Sequence, residues 1–123
     1  MRNFQGEVYI TNHAKEKFIK RRLMTNKTYK SNLNIYKKML NMIFRSQLIK
    51  YVHKEDGKLH EYRKYKGVIF VCERKISQDY WKKDLVTVIT VELTLEYLLE
   101  LKNEGVDVKS LKIGPYIENQ LAL

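Results

Sequence analysis

Three basic side chains near the start of the chain could act together on a phosphodiester: His13, Lys17 and Arg21. They lie at i, i+4 and i+8, so they would share one face of a helix with Lys20. At the N2 position His13 would feel the positive end of the helix dipole, which favours a neutral imidazole that can accept a proton from a ribose 2′-OH. Lys17 and Arg21 would hold the phosphate and stabilise its developing charge. The alternative is that His13 bonds a neighbouring strand and packs the start of the helix.

A second group of candidate side chains flanks Asp56-Gly57, a dipeptide typical of tight hairpin turns. A two-residue turn there would place His53 opposite His60 and Tyr51 opposite Tyr62, with all four on one face of the hairpin. Such a patch could supply an acid–base pair or stack nucleobases. The alternative is a half-buried aromatic face under a helix. A shift of one residue in the register would place the four side chains on opposite faces, so the patch would not form.

Cations also recur along the strands that follow this turn. Basic side chains interleaved with aromatic ones are typical of a surface that holds phosphates and stacks on bases, so they predict an RNA platform. An ordinary solvated sheet face is the alternative. The side chains assigned to this platform are Arg63, Lys64, Lys66, Arg74 and Lys75, with Tyr65 and Trp81 among them.

The charge of the chain points towards a polyanionic partner. Lys and Arg number 24 against 14 Asp and Glu, which gives a net charge of +10. Residues 1–83 carry 21 of the basic residues and 7 acids, whereas residues 84–123 carry 3 basic residues and 7 acids. A basic body with an acidic C-terminal third makes nucleic acid the first candidate partner and an acidic protein the second. A Lys- and Asn-rich composition with a solvated surface is the alternative.

Composition excludes several other classes of protein. At 123 residues with 44% hydrophobic and 31% charged residues, the chain is expected to form one globular domain over 1–123. Cys72 is the only cysteine, so neither a disulfide framework nor a multi-cysteine zinc site is possible within the chain, and we expect this thiol to be buried and inert. No run approaches the roughly 18 apolar residues of a membrane span. Without a secretory h-region or a phosphate-loop motif, we expect a cytoplasmic protein with no cofactor and no metal.

Helical spacing of apolar residues and capping signals predict two helices in the first half of the chain. Thr11 can cap the first helix, because its hydroxyl can accept a free N–H of the first turn, and Ser31 or Asn32 can cap the second. A wide apolar stripe indicates that the second helix is buried. The predicted elements are an extended stretch at Glu7–Ile10, a helix over Asn12–Leu23, a loop over Met24–Lys30 and a helix over Leu33–Gln47.

The hydrophobic period changes to two in the second half, which indicates strands. Leu85–Leu93 has the strongest β-forming composition and apolar residues at both parities, so we expect a central strand buried on both faces. The fold class is α+β, with N-terminal helices packed on a four-stranded antiparallel sheet and an added C-terminal helix. The predicted strands are Leu48–Lys54, Lys58–Tyr65, Val68–Cys72 and Leu85–Leu93, with a loop over Ile76–Asp84.

The C-terminal helix is predicted over Thr94–Asn103, with Gly105 as its C′ residue. The side chains expected to pack on the core are Leu95, Leu98 and Leu99. The remaining face would be acidic and turned to solvent or to a basic partner; it consists of Glu96, Glu100 and Glu104.

Two short motifs resemble a known family. Ile10-Thr11-Asn12-His13-Ala14-Lys15-Glu16-Lys17, followed by Arg21, is similar to the H-A-x-x-[RK]-x-x-x-R opening of small domains grouped with RelE-type toxins. These toxins belong to the barnase–colicin–RelE group of ribonuclease-like folds. Val88-Ile89-Thr90-Val91 resembles the V-V/I-T-V pattern of that group's later strands. The resemblance spans roughly Tyr9 to Glu92, and Lys17 stands where arginine is commoner.

This resemblance implies a metal-independent endoribonuclease of toxin–antitoxin type, with His13, Lys17, Arg21 and Thr90 as catalytic residues. Thr90 is included among these residues only because its hydroxyl occupies the position of the threonine in the family's strand motif. The alternative is that the threonine is there only for its high β-propensity. The other function that we consider is a non-enzymatic binding module of a phage or mobile element, which captures nucleic acid or an acidic host protein. An enzyme should hold His13 beside Arg63 or Arg74 in a cleft, whereas a binding module should present a flat basic face.

Overall fold

The structure is a computed structural model, and it describes residues 6–21, 32–54 and 58–105. Within those ranges the fold is α+β, with three helices and a five-stranded mixed sheet of order β1-β5-β4-β3-β2. The described helices are neither long nor apolar enough for any of them to cross a membrane. The elements are β1 (Glu7–Ile10), α1 (Asn12–Arg21), α2 (Asn32–Arg45), β2 (Gln47–His53), β3 (Lys58–Tyr65), β4 (Val68–Lys75), β5 (Leu85–Leu93) and α3 (Leu95–Asn103).

The sheet has one strand more than the sequence predicted, and that strand makes the sheet mixed. β1 pairs in parallel with β5, from Glu7 opposite Leu85 to Ile10 opposite Val88. The antiparallel pairing of the four predicted strands is confirmed in β2–β5, but the predicted sheet is wrong in strand number because it lacks this parallel edge strand. The hairpin signals of a sequence report only neighbouring strands, whereas the partner of this four-residue strand lies more than 70 residues away along the chain.

Thr11 joins β1 to α1 and confirms the predicted N-cap. Its hydroxyl accepts a hydrogen bond from the Ala14 N–H at 3.1 Å and donates one to the Val88 carbonyl at 3.0 Å. One side chain therefore starts the helix and ties it to β5. The described part of α1 ends at Arg21; the predicted last turn to Leu23 and the loop over Met24–Lys30 lie outside the described residues.

The main core lies on one face of the sheet, which we call the covered face because α1 and α2 pack against it. Alternate residues of each strand point into this core, as the pleat requires. The largest fully buried side chains include Phe18 of α1, Met39 of α2 and Phe70 of β4. We call the opposite face the open face; among the described residues, α3 packs on it at the end near Ile69.

The bounds predicted for Leu85–Leu93 are confirmed, but burial at both parities is limited to the end of the strand, where Val91, Glu92 and Leu93 are buried. β5 lies between β1 and β4, and β4 is the central strand. Val86, Val88 and Val91 are buried on the covered face, but Thr87 is half-buried and Leu85 is 43% exposed. The apolar residues occur at both parities partly because a bulge between Thr90 and Val88 shifts the alternation.

Helix α3 has the predicted ends but a different buried stripe. Thr94 is its N-cap, with a hydroxyl that accepts from the Tyr97 N–H at 3.2 Å, and Gly105 has the left-handed φ of 88° expected at C′. The buried leucines are Leu98 and Leu101, whereas Leu95 and Leu99 are exposed. With this rotation the Tyr97 ring lies against Gly67 in the β3–β4 turn. As predicted, its solvent-facing side is acidic, with exposed Glu96, Glu100 and Glu104.

Candidate nucleic-acid interface

The register of the β2–β3 hairpin differs by one residue from the predicted register. The Lys54 N–H donates to the Lys58 carbonyl at 2.8 Å, so the connection is longer than the two-residue turn expected at Asp56-Gly57, which itself lies outside the described residues. The shift reverses which side chains share a face. The pairs are Lys50 with Tyr62, Tyr51 with Glu61, Val52 with His60 and His53 with Leu59.

The predicted four-residue patch is consequently wrong. Tyr51 and His53 lie on the side of the covered face, where their rings meet edge to face with centroids 5.6 Å apart. His60 and Tyr62 lie on the open face. Only one histidine and one tyrosine of the predicted patch can therefore meet a common ligand.

The open face nevertheless combines aromatic, hydroxyl and basic side chains on adjacent strands. Tyr62 of β3, Val71 of β4 and Thr90 of β5 form one row across the sheet, and His60, Glu73 and Thr87 form the next row. The neighbouring rows and strands add the remaining polar groups, most of them half-buried or exposed. They are Tyr9, Lys50, Lys58, Lys64 and Lys75.

Glu73 organises the centre of the open face. Its carboxylate lies 3.3 Å from Lys58 Nζ and 3.5 Å from His60 Nε2. Lys58 is directly opposite Lys75 in the β3–β4 register, so this carboxylate also offsets the repulsion between two lysines. His60 is thereby held beside Tyr62 on the same strand face.

Arg63 and Arg74 belong to the covered face, not to the predicted RNA platform. Arg74 donates from Nε to Glu61 Oε1 and from a terminal nitrogen to Asp84 Oδ2 at 3.0 Å. Arg63 Nε lies 3.3 Å from Glu61 Oε2. Glu61 is 3% exposed and Arg74 is 8% exposed. Both guanidinium groups are thus shielded and balanced by carboxylates, so we do not expect them to hold phosphate.

The pKa values of these groups reflect the same cluster. Burial by itself would lower the pKa of Arg74, but its hydrogen bonds and charge attraction to Glu61 and Asp84 outweigh burial and raise the pKa. Burial lowers the pKa of Arg63, an effect that Glu61 opposes. The sequence could have shown that these arginines and the lysines lie on different faces of the sheet. Arg63 and Lys64 are adjacent in a strand, so their side chains must point to opposite faces.

The loop between β4 and β5 presents two exposed aromatic rings. Asp84 closes this loop by accepting from the Ser77 N–H at 2.8 Å while it binds Arg74. At the tip, Tyr80 is 96% exposed and Trp81 is 68% exposed, and their rings meet edge to face with centroids 5.0 Å apart. The predicted loop over Ile76–Asp84 thus carries Trp81 as an accessible stacking surface.

The four predicted catalytic residues do not form one site in the described residues. His13 is exposed on α1, and Lys17 is half-buried one turn further along. Thr90 pairs with Val71 on the open face, whereas α1 packs on the covered face through Ala14 and Phe18. The side chain of Arg21 lies outside the described residues. A sheet therefore separates Thr90 from α1.

The residues described here contain no group of three or more His, Cys, Asp or Glu that could hold a metal ion. No protein-family model, curated protein or solved structure matches the chain. The similarity to RelE-type toxins accordingly rests on the two short sequence motifs alone.

Proposed function

We propose that this protein binds single-stranded nucleic acid, RNA in preference, across the open face and the Ile76–Asp84 loop. The observation that supports this proposal best is the composition of the open face and of the loop that joins β4 to β5. They offer the exposed rings of Tyr9 and Trp81, the hydroxyl groups of β5, and lysines on β2, β3 and β4. Tyr62 adds a half-buried ring that packs partly against the α3 cluster. Unstacked bases need aromatic faces and their backbone needs cations, and a broad sheet supplies both along its strands.

Lysines, not arginines, provide the phosphate contacts in this proposal. Lys50 and Lys75 are exposed on the open face, and Lys82 and Lys83 are exposed in the adjoining loop. Flexible ammonium groups follow an irregular single strand well, since each acts as a point charge with no fixed fork geometry. Binding should therefore depend steeply on salt and weakly on sequence.

Binding without cleavage fits the described residues better than the predicted His13 enzyme. That enzyme required His13 beside Arg63 or Arg74, and both arginines are engaged by the buried Glu61. The broad basic face is the feature expected of a binding module.

Cleavage of RNA without a metal is the second candidate function, and the His60–Glu73 contact favours it. A carboxylate 3.5 Å from Nε2 can orient an imidazole, and Tyr62 and Lys58 lie close by to contact a substrate. Incubating fluorescent RNA with the protein in a metal chelator tests this function. Cleavage that is lost in His60→Ala, and absent from a 2′-deoxy strand, would support it; intact RNA would exclude it.

Fluorescence anisotropy with a labelled single-stranded RNA of about 12 nucleotides tests the binding proposal. We compare Lys50→Gln/Lys75→Gln on the open face with Lys20→Gln/Lys37→Gln on α1 and α2, a control with the same charge change at exposed lysines. The open-face variant should bind more weakly. The slope of log affinity against log salt should fall by about 0.7 for each lost phosphate contact. Equal losses in both variants, or no binding at about 50 mM salt, would contradict the proposal.

A further inference from the structure

A groove lies at the end of the open face near Ile69, between the β3–β4 turn and the first turns of α3. Its volume is about 450 Å³, which is space for one nucleotide-sized group. Sequence patterns gave no sign of it, because its two walls come from segments that are separated by β4 and β5 along the chain. Its principal lining residues are Lys64, Lys66, Gly67, Glu96, Tyr97 and Glu100.

The two walls are held together by backbone and ring contacts. The Thr94 N–H donates to the Gly67 carbonyl at 2.9 Å, which fixes the start of α3 against the turn. A Cβ placed on Gly67 would lie 2.7 Å from Tyr97 Cγ, so the ring rests directly on the glycine backbone. The groove therefore has a preformed shape with an aromatic ring against its base.

The walls carry opposite charges. Lys64 and Lys66 line the side of the turn, and Glu96 and Glu100 line the side of the helix one turn apart. The N–H of Glu96 itself, then Lys64 and the Thr94 hydroxyl, hold the pKa of Glu96 below its usual value, so this carboxylate is ionised at neutral pH. A ligand that fills the groove must present an anion to one wall and hydrogen-bond donors to the other.

A nucleotide with an exocyclic amine has this pair of groups. Its phosphate can meet Lys64, and the amine of cytosine, adenine or guanine can donate to a carboxylate of α3. Uracil presents its C4 carbonyl oxygen in place of the cytosine amine, and a carboxylate repels that oxygen. Lys64 also belongs to the open face, so a strand lying on that face can enter the groove.

We propose that the groove holds one nucleotide of the bound strand and selects amine-bearing bases over uracil, with Glu100 as the accepting side chain. This inference rests on the proposed function, since it assigns a base preference to the same interface. Cytosine and uracil have nearly the same size and shape, so a comparison of the two isolates the contribution of the amine.

Competition anisotropy with oligocytidylate and oligouridylate of equal length tests the inference. The protein should prefer oligocytidylate by about five- to tenfold, the scale of one good base contact. Glu100→Gln should bring the ratio close to one, because an amide can face either base, and should not weaken oligouridylate binding. Glu104→Gln is the matched control, since Glu104 is exposed on the same side of α3 beyond the groove and should keep the preference.

Each outcome separates this inference from the proposed function. Failure to bind either oligonucleotide at low salt would overturn both. Equal binding of the two by the unaltered protein would overturn the base preference and leave the interface standing. A preference that survives in Glu100→Gln, with an unchanged thermal melting curve, would show that the amine is read elsewhere and would overturn the assignment to the groove.

Discussion

Arg63 and Arg74 share the Glu61 carboxylate on the covered face. Because both arginines are engaged there, the exposed lysines are the cations that can bind a ligand. Glu61 contacts both Arg63 and Arg74, and Asp84 contacts Arg74 from the loop side. Removing one partner from such a cluster lowers the free energy of unfolding, because it leaves a buried charge without compensation. We infer that this cluster serves the fold, by joining β3, β4 and the Ile76–Asp84 loop, while exposed lysines serve the ligand.

Glu61→Gln should reduce the free energy of unfolding by about 3 kcal/mol, because it leaves two buried guanidinium groups with less compensating charge. Urea unfolding followed by circular dichroism measures the change. Glu73→Gln is the control, since its ion pairs with Lys58 and His60 are partly exposed and should contribute less than about 1 kcal/mol. Equal effects of the two substitutions would contradict a structural role specific to the buried cluster.

Cys72 should react with thiol reagents only after unfolding. Burial raises the pKa of its thiol to about 12, and the side chain is fully inaccessible in the core. The reactive thiolate is therefore both scarce and covered in the native state. Labelling with an aromatic disulfide should be slow in buffer and fast in denaturant; rapid labelling in buffer would show that β4 is open to solvent.

The same thiol should make the fold less stable in alkali. Its folded pKa lies above its unfolded value, so the stabilisation is complete below about pH 9 and is lost as the pH rises towards 12. Cys72→Ala should remove this dependence, and we expect it to be less stable at neutral pH because it leaves a small cavity in the core. The gap in unfolding free energy between the two proteins should narrow by about 2 kcal/mol at about pH 10.5. A constant gap would contradict the raised pKa.

At the scale of elements, the turn between β3 and β4 sets the position of α3. Lys66 has the left-handed φ of 52°, while Gly67 is needed because the Tyr97 ring occupies the place of a side chain. Gly67→Ala should therefore destabilise the protein by about 1–3 kcal/mol through overpacking. Thermal unfolding of the single variant and of Gly67→Ala/Tyr97→Leu measures the coupling. The second change should recover part of the loss, and simple additivity would show that the ring is not the obstacle.

Local signals predicted the elements better than their partners. Thr11, Thr94 and Gly105 mark helix ends because capping depends on a few neighbouring residues. The parallel pairing of β1 depends on contacts far apart in the chain, and the hairpin register depends on one loop residue more or less, so neither follows from the sequence pattern. For the same reason, the open face includes only some of the predicted site residues, among them His60, Tyr62 and Lys64.

Across the whole molecule, the charge asymmetry of the sequence becomes a spatial arrangement. The open face carries lysines from three strands, and the acidic helix α3 covers one end of it. Glu96 and Glu100 therefore border the basic surface, where they would repel the backbone of a strand and accept from its bases. We infer that α3 limits how far a bound strand extends and contributes selectivity at that end.

Acetylation footprinting of lysines, with and without single-stranded RNA, tests the central proposal most directly because it locates the bound strand on the molecule. Mass spectrometry reports the reactivity of each lysine in one experiment. We expect RNA to protect Lys50, Lys64 and Lys75 on the open face and to leave Lys20 and Lys37 on the helices reactive. Protection of the helix lysines with an unchanged open face, or uniform protection of all five, would contradict the proposed interface.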